Sequence, residues 1–412
     1  MKSIQTGAPI DANQRHIILD ALRGFALLGI CLANFPEFAL YSFLKPEAVE
    51  TFPSYGIDLV TKYFIYIFID GKFYTIFSLL FGIGFSIILE NNWKRGANGT
   101  KIFYRRMICL LLIGFLHLMF IWSGDILMLY AGVGMILPLF RKCKDSTIAV
   151  WAAIMLILPV LIDYICEWTG IYLSSKLVEW QGIYCDRYGI TDANFAYWLR
   201  DAQTYGDVFK FLIQGAIERM SEFVDGNRYF KVFGLFLIGY LIGRNKLYAQ
   251  IDAFKTPLKK YALFALCFGL PISFFYSWSA INGKPLGIGA HSALYLGSVY
   301  LTSFGYISGI CIIYISFKEC PIWKILAFPG KMALTNYIGQ SLLGMFIFYG
   351  IGFGLGAHIG LFAIEWVAFS VFIFQIIFSA CWLSICRFGP LEWIWRCLTY
   401  VRRFPLFKSK VG

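Results

Sequence analysis

Residues 17 to 41, Ile17-Ile-Leu-Asp-Ala-Leu-Arg-Gly-Phe-Ala-Leu-Leu-Gly-Ile-Cys-Leu-Ala-Asn-Phe-Pro-Glu-Phe-Ala-Leu-Tyr41, form an apolar run interrupted by Asp20, Arg23 and Asn34. A membrane helix needs about 20 mostly apolar residues, and this run supplies them. A cleaved signal peptide would not carry an acid and a base in its apolar core, and no convincing small-residue cleavage site follows. The run therefore stays in the protein as a helix.

The rest of the chain agrees. Of 412 residues, 59% are hydrophobic and 15% charged, with 41 Phe, 25 Tyr and 12 Trp and a mean hydropathy of +0.67. Soluble domains run about 45–50% apolar and about 25% charged, so this chain lacks the polar surface to cover itself in water. The eleven cysteines are scattered, with no CxxC pair and neither disulfide nor metal-ligand spacing. Most lie in apolar runs as small hydrophobes.

Ten apolar runs mark candidate crossings: 17 to 41, 57 to 90, 103 to 122, 126 to 140, 147 to 168, 230 to 243, 261 to 280, 291 to 315, 332 to 352 and 360 to 385. The expected fold is all-α and polytopic, with about ten membrane helices. Ten crossings place both termini on one side. Of the 36 Lys and Arg, 24 fall on that side, including Lys2, Arg15 and Lys410, 11 fall on the other, and Arg23 lies within the first helix. The excess predicts cytoplasmic termini, and in a membrane protein it speaks of orientation rather than of nucleic-acid binding. Three segments follow: an N-terminal four-helix part over 1–145, a fifth helix with an extracytoplasmic insertion over 146–229, and a C-terminal membrane part over 230–412. Residues 207 to 224 read as an amphipathic helix on or in the bilayer. The alternation of Trp and Arg after Arg387 reads as an interfacial anchor.

Ionisable groups inside a bilayer are costly and point to function by default. Asp20 and Arg23 are spaced to pair on one helix face, and Asn34 falls on nearly the same face about 21 Å further along. The alternative is a structural pair that locks the helix to a neighbour. Asp70-Gly-Lys72 breaks the second run, either as an outer turn or as backbone lining a cavity. His117 lies beyond the midplane in the third run, eight residues before Asp125. An imidazole there could take a proton from a hydroxyl or amine, or attack an acyl carbon, with Asp125 orienting it. His16, His291 and His358 sit in a tail or at helix ends and are weaker candidates. Asn336 and Gln340, one turn apart, and Ser341 either line a substrate path or bind neighbouring helices. Gly239 and Gly243 form a small-residue packing face, and glycine-rich faces of this kind permit a homodimer.

Five motifs carry a resemblance: Leu19-Asp-Ala-Leu-Arg-Gly-Phe-Ala-Leu-Leu-Gly, Lys72-Phe-Tyr-Thr-Ile-Phe-Ser-Leu-Leu-Phe-Gly-Ile-Gly-Phe, Trp122-Ser-Gly-Asp-Ile-Leu, Gly330-Lys-Met-Ala-Leu-Thr-Asn-Tyr-Ile-Gly-Gln-Ser and Gly389-Pro-Leu-Glu-Trp-Ile-Trp-Arg. Together they span most of the chain and resemble the bacterial YeiB-like integral membrane proteins. That family is similar to a wider superfamily of transmembrane acyltransferases that includes heparan-alpha-glucosaminide N-acetyltransferase. The resemblance implies a bacterial inner-membrane protein that takes an acyl group, commonly acetyl, from cytoplasmic acyl-coenzyme A (acetyl-CoA). The acyl group is delivered to a hydroxyl or amine of an extracytoplasmic glycan or small molecule. The superfamily motif Asp-x-x-Arg-Gly matches Asp20, Arg23 and Gly24, and Arg23 is expected to hold the donor. The lysosomal enzyme's catalytic His lies in the outer segment after that helix, whereas residues 35 to 56 here contain no His. His117 is expected to take its place, with Asp125 and Asp20. The competing reading of the same residues is a transporter or exporter that uses buried Asp, His and amide groups to bind substrate or protons.

Overall fold

A computed structural model describes residues 16–408. Lys2, Arg15 and Lys410, counted above toward a basic cytoplasmic face, lie outside the described residues. Among the described residues the structure is helical, with no strand beyond a single bridge between Cys386 and Phe407.

The run that opens the chain becomes α1 (Ile17–Phe38). It leads through α2 (Pro46–Glu50) to α3 (Tyr55–Phe68), a turn at Asp70-Gly71, and α4 (Lys72–Lys94). Next, α5 (Gly99–Phe120) is followed by α6 (Leu127–Gly134), and a 3-10 turn (Leu137–Lys142) carries the chain back along α5. The long α7 (Asp145–Thr169) enters the insertion, which holds α8 (Ser175–Tyr188), α9 (Trp198–Asp201) and the amphipathic α10 (Tyr205–Asp225). There follow α11 (Arg228–Arg244), α12 (Lys255–Phe264), a π-turn (Ala265–Gly269), α13 (Leu270–Ile281) and α14 (Ile288–Ser316). The last four are α15 (Ile322–Lys331), α16 (Ala333–Phe348), α17 (Leu361–Ile385) and α18 (Pro390–Tyr400).

Among the described residues, seven helical segments are long and apolar enough to cross a membrane: Ile17–Phe38, Tyr55–Lys94, Gly99–Phe120, Asp145–Thr169, Ile251–Ile281, Ile288–Ser316 and Leu361–Ile385. The other three expected runs, 126 to 140, 230 to 243 and 332 to 352, form the shorter α6, α11 and α16.

Glycine decides the closest packing. A Cβ on Gly24 would stand 1.8 Å from the Leu326 carbonyl oxygen, and one on Gly330 would stand 1.9 Å from that of Asp20. The backbones of α1 and α15 thus touch, and the glycines of two separate motifs make that contact possible. Likewise α11 lies on α4 through Gly239, whose Cβ would meet the Leu79 carbonyl oxygen at 2.1 Å. The Gly239 and Gly243 face is therefore used inside the chain.

Charges gather at the bundle ends. At one end Arg244 pairs with Asp145 at 3.3 Å, Lys246 with Glu90 at 2.7 Å and Lys318 with Asp252 at 2.8 Å. The described N-terminal end joins them through His16, whose ring packs on Tyr248 at 5.0 Å. The C-terminal α18 sits at the same end, with the Arg106 guanidinium 3.5 Å above the Trp395 ring. At the opposite end Asp58 accepts from the Phe362 N–H at 2.9 Å, Glu167 from that of Gly289 at 2.9 Å, and Arg219 of α10 pairs with Glu37 at 3.2 Å.

Candidate functional site

One cavity of about 820 Å³ joins the two ends of the bundle. Residues of α1 line it from His16 to Glu37. At 1.5 Å per residue that is about 31 Å of helix, close to the hydrocarbon thickness of a bilayer. Asp20, Arg23 and Asn34, the polar stripe of the opening run, all face it. Within the stripe Arg23 Nη1 donates to Asp20 Oδ1 at 2.7 Å, and Asp20 is buried while Arg23 is a quarter exposed.

The end near the chain termini is cationic and aromatic. Arg23, Arg106, Lys331 and Arg396 line it with Trp395 and Tyr400. The α18 segment, expected as an anchor, does more than that. Glu392 accepts the N–H groups of Leu334 and Thr335 at 2.7 and 3.0 Å and the Thr335 hydroxyl at 2.6 Å. It thereby satisfies the donors left over at the start of α16. Burial raises the Glu392 carboxyl above its ordinary range, against the pull of these donors.

Deeper along the cavity three expected residues meet. The turn Trp122-Ser-Gly-Asp125 folds the chain from α5 into α6. The Asp125 carboxylate has two partners there: Oδ1 accepts the Met128 N–H at 2.8 Å and starts α6, and Oδ2 lies 2.8 Å from His117 Nδ1. On the other side of the ring, His117 Nε2 is 2.9 Å from the Ser341 hydroxyl of α16. A carboxylate only accepts, so Nδ1 carries a hydrogen, and in the neutral imidazole Nε2 is left to accept from Ser341. This is a Ser–His–Asp relay, the arrangement that turns a hydroxyl into a nucleophile. All three residues are 1% exposed. His117 and Ser341 stand behind the cavity wall, where the rings of Tyr337 and Trp122 pack on His117 at 5.3 and 6.1 Å. Both rings line the cavity, as does Asp125.

Asn336 and Gln340, expected either to line a substrate path or to bind neighbouring helices, bond to α17. Asn336 donates to Ser379 Oγ at 2.9 Å, Gln340 to Gln375 Oε1 at 3.0 Å, and Gln375 back to the Asn336 carbonyl at 2.8 Å. These amides form a buried ladder between α16 and α17, turned away from the cavity. By fixing the register of α16 they fix Ser341, one residue beyond Gln340.

The opposite end joins the Asp70-Gly71 break and His291 to groups that the sequence did not single out. The Asp70-Gly71 break lies against α14 and faces the cavity, with the Tyr276 hydroxyl donating to Asp70 at 2.5 Å. Arg228, Lys231, Tyr74, Tyr295 and His291 line the same end. A signal existed in the break itself, because interrupted helices are tolerated at depth where backbone lines a cavity. Arg228 and Lys231 read simply as flanking charges of a short run.

Fold and site together define a class: a polytopic helical membrane protein with a polar cavity as long as a bilayer is thick and a Ser–His–Asp relay beside it. Residues 242–402 match the family described as "Protein of unknown function (DUF418)". The chain is 30% identical over 407 residues to an uncharacterized 39.9 kDa protein in an amylase 3' region of Bacillus acidopullulyticus, covering 98% of this chain and 99% of that one. It is 28% identical to YxaH of Bacillus subtilis (strain 168), over 99% of both chains. It is also 28% identical to YeiB of Escherichia coli (strain K12), over 94% of this chain and 96% of that one. The chain belongs to this YeiB-like family. No solved structure matches it.

Proposed function

We propose that this chain is a transmembrane acyltransferase of the bacterial inner membrane. It moves an acyl group, commonly acetyl, from cytoplasmic acyl-coenzyme A to a hydroxyl or amine of an extracytoplasmic glycan or small molecule. Both termini are cytoplasmic in this reading, and α6 with its 3-10 turn, α11 and α16 complete ten crossings. The relay of Ser341, His117 and Asp125 beside the cavity carries the reading, because that trio activates a hydroxyl toward an acyl carbon.

The basic end of the cavity receives the phosphates of the donor, where guanidinium groups offer forked, charge-assisted hydrogen bonds. Arg23 is held by Asp20 so that it faces the thioester. Trp122 and Tyr337 part to admit the acyl group. Ser341 Oγ attacks the thioester carbon and its proton passes to His117 Nε2. The carbon–sulfur bond breaks, and the thiolate takes that proton and leaves as free coenzyme A. The acceptor then attacks the Ser341 ester, gives its proton to His117, and is released acylated as Ser341 regains the proton. Asp125 keeps Nδ1 protonated throughout.

Purified protein given acetyl-coenzyme A is expected to release coenzyme A, measured chromatographically because the chain's eleven cysteines would consume a thiol reagent. His117→Ala is expected to lower the rate by about 10²-fold or more. If wild type and His117→Ala release it equally, the relay is not catalytic. If wild type releases none from any acyl donor, the acyltransferase reading falls and the exporter reading gains.

A further inference from the structure

We infer that the end of the cavity remote from the chain termini is a binding site for a phosphate group, held chiefly by Arg228 and Lys231. This site stands apart from acyl transfer: it rests on the charges there and not on the relay.

The acids and bases at this end are matched in an uneven way. Asp70 accepts from the Tyr276 hydroxyl at 2.5 Å, Asp163 from the Asn227 amide at 2.8 Å and Asp225 from the Ser174 hydroxyl at 2.7 Å. Each acid is thus satisfied by a neutral donor. Arg228, Lys231 and Lys284 all line the cavity, and none of them forms an ion pair among the described residues. Lys231 Nζ instead lies 4.4 Å above the Tyr295 ring, a contact that steers the ammonium without neutralising it. Arg228 and Lys231 are partly buried, and although Asp70 and Asp163 lie near Lys231, no acid among the described residues bonds either cation directly; a ligand with more than one negative charge supplies that bond. A phosphate fits best, because its several oxygens can accept from a guanidinium fork and from ammonium groups together.

The walls suit a ring-bearing or polar body attached to that phosphate. The hydroxyls of Tyr74 and Tyr295 meet at 2.6 Å and present an aromatic face. His291 uses Nδ1 on the Ser279 hydroxyl at 3.0 Å, leaving Nε2 without a partner among the described residues and able to bond a ligand hydroxyl. The same phosphate chemistry could come from a soluble sugar phosphate or from a phospholipid headgroup.

The test uses the full-length protein in nanodiscs made either of zwitterionic phosphatidylcholine or of phosphatidylglycerol. Binding of glucose 6-phosphate is measured by calorimetry beside glucose. Glucose 6-phosphate is expected to bind in phosphatidylcholine discs, more weakly as salt rises, and glucose is not. Arg228→Gln and Lys231→Gln are expected to weaken it about tenfold or more, and Lys231→Arg to retain it. A lipid source shows itself as glucose 6-phosphate binding that is lost in phosphatidylglycerol discs and a raised melting temperature of wild type there, the rise being absent in Arg228→Gln. Equal binding of sugar and sugar phosphate overturns the inference. So does undiminished binding in Arg228→Gln and Lys231→Gln together, or loss of binding in Arg106→Gln alone, which would place the phosphate at the other end.

Discussion

At the residue scale, Asp125 shows how one side chain can serve fold and chemistry together. Its two oxygens start α6 and orient His117, so Asp125→Asn offers an amide donor where only an acceptor fits. The pairing of His117 with Asp125 was legible because eight residues around a turn bring the two together. The bond to Ser341 was not, since it spans 224 residues and no local pattern encodes it. Gly24 carries a sharper prediction. Gly24→Ala forces α1 off α15 and is expected to lower the melting temperature of the detergent-solubilised protein, an overpacking cost of about 1–3 kcal/mol. Gly132→Ala, with nothing within 4 Å of its new Cβ, is expected to leave it unchanged or slightly higher. Glu218 of α10 gives a pH signature. Burial, then its neighbours Glu222 and Glu37, push its carboxyl up to about 7, with Arg219 opposing them. The folded protein keeps that proton where the unfolded chain has released it, so the contribution is full at low pH and is lost as pH rises from the ordinary carboxylate range through 7. Melting temperatures between pH 5 and 8 should therefore fall more in wild type than in Glu218→Gln.

At the scale of elements, the long helices were readable from apolar length alone, and α1, α7 and α17 lie within a few residues of the expected runs. Shorter ones were blurred because α6 and α11 are largely enclosed by other helices and need no full bilayer's length of apolar sequence, and α16 is only 16 residues long. The alternation of Trp and Arg in α18 resembled an interfacial anchor, since nothing local reveals that Glu392 reaches the start of α16 57 and 58 residues away. Glu392→Ala removes the acceptor for three donors and leaves them buried. An expected cost of about 1–3 kcal/mol should appear as faster hydrogen exchange at Leu334 and Thr335 and a lower melting temperature. Glu392→Gln, which keeps one acceptor oxygen, should lie between.

At the scale of the whole molecule, the charge that the sequence confines to 15% of the chain has three uses: it marks the two ends of the bundle, lines the cavity between them, and leaves a relay behind the wall. The polar stripe Asp20, Arg23 and Asn34 foretold the cavity because a periodicity of 3.6 puts them on one face of one helix. The basic groups of the far end escaped because they are assembled from α11 and the loop between α13 and α14, and no single stretch displays them. In the proposed mechanism Ser341 carries the acyl group between donor and acceptor. Intact-protein and peptide mass spectrometry after incubation with acetyl-coenzyme A, without acceptor, tests it most directly. An acetyl group is expected on the peptide containing Ser341 in wild type and none there in Ser341→Ala or His117→Ala. Coenzyme A release with no acetyl on that peptide, or equal labelling of wild type and Ser341→Ala, would contradict it.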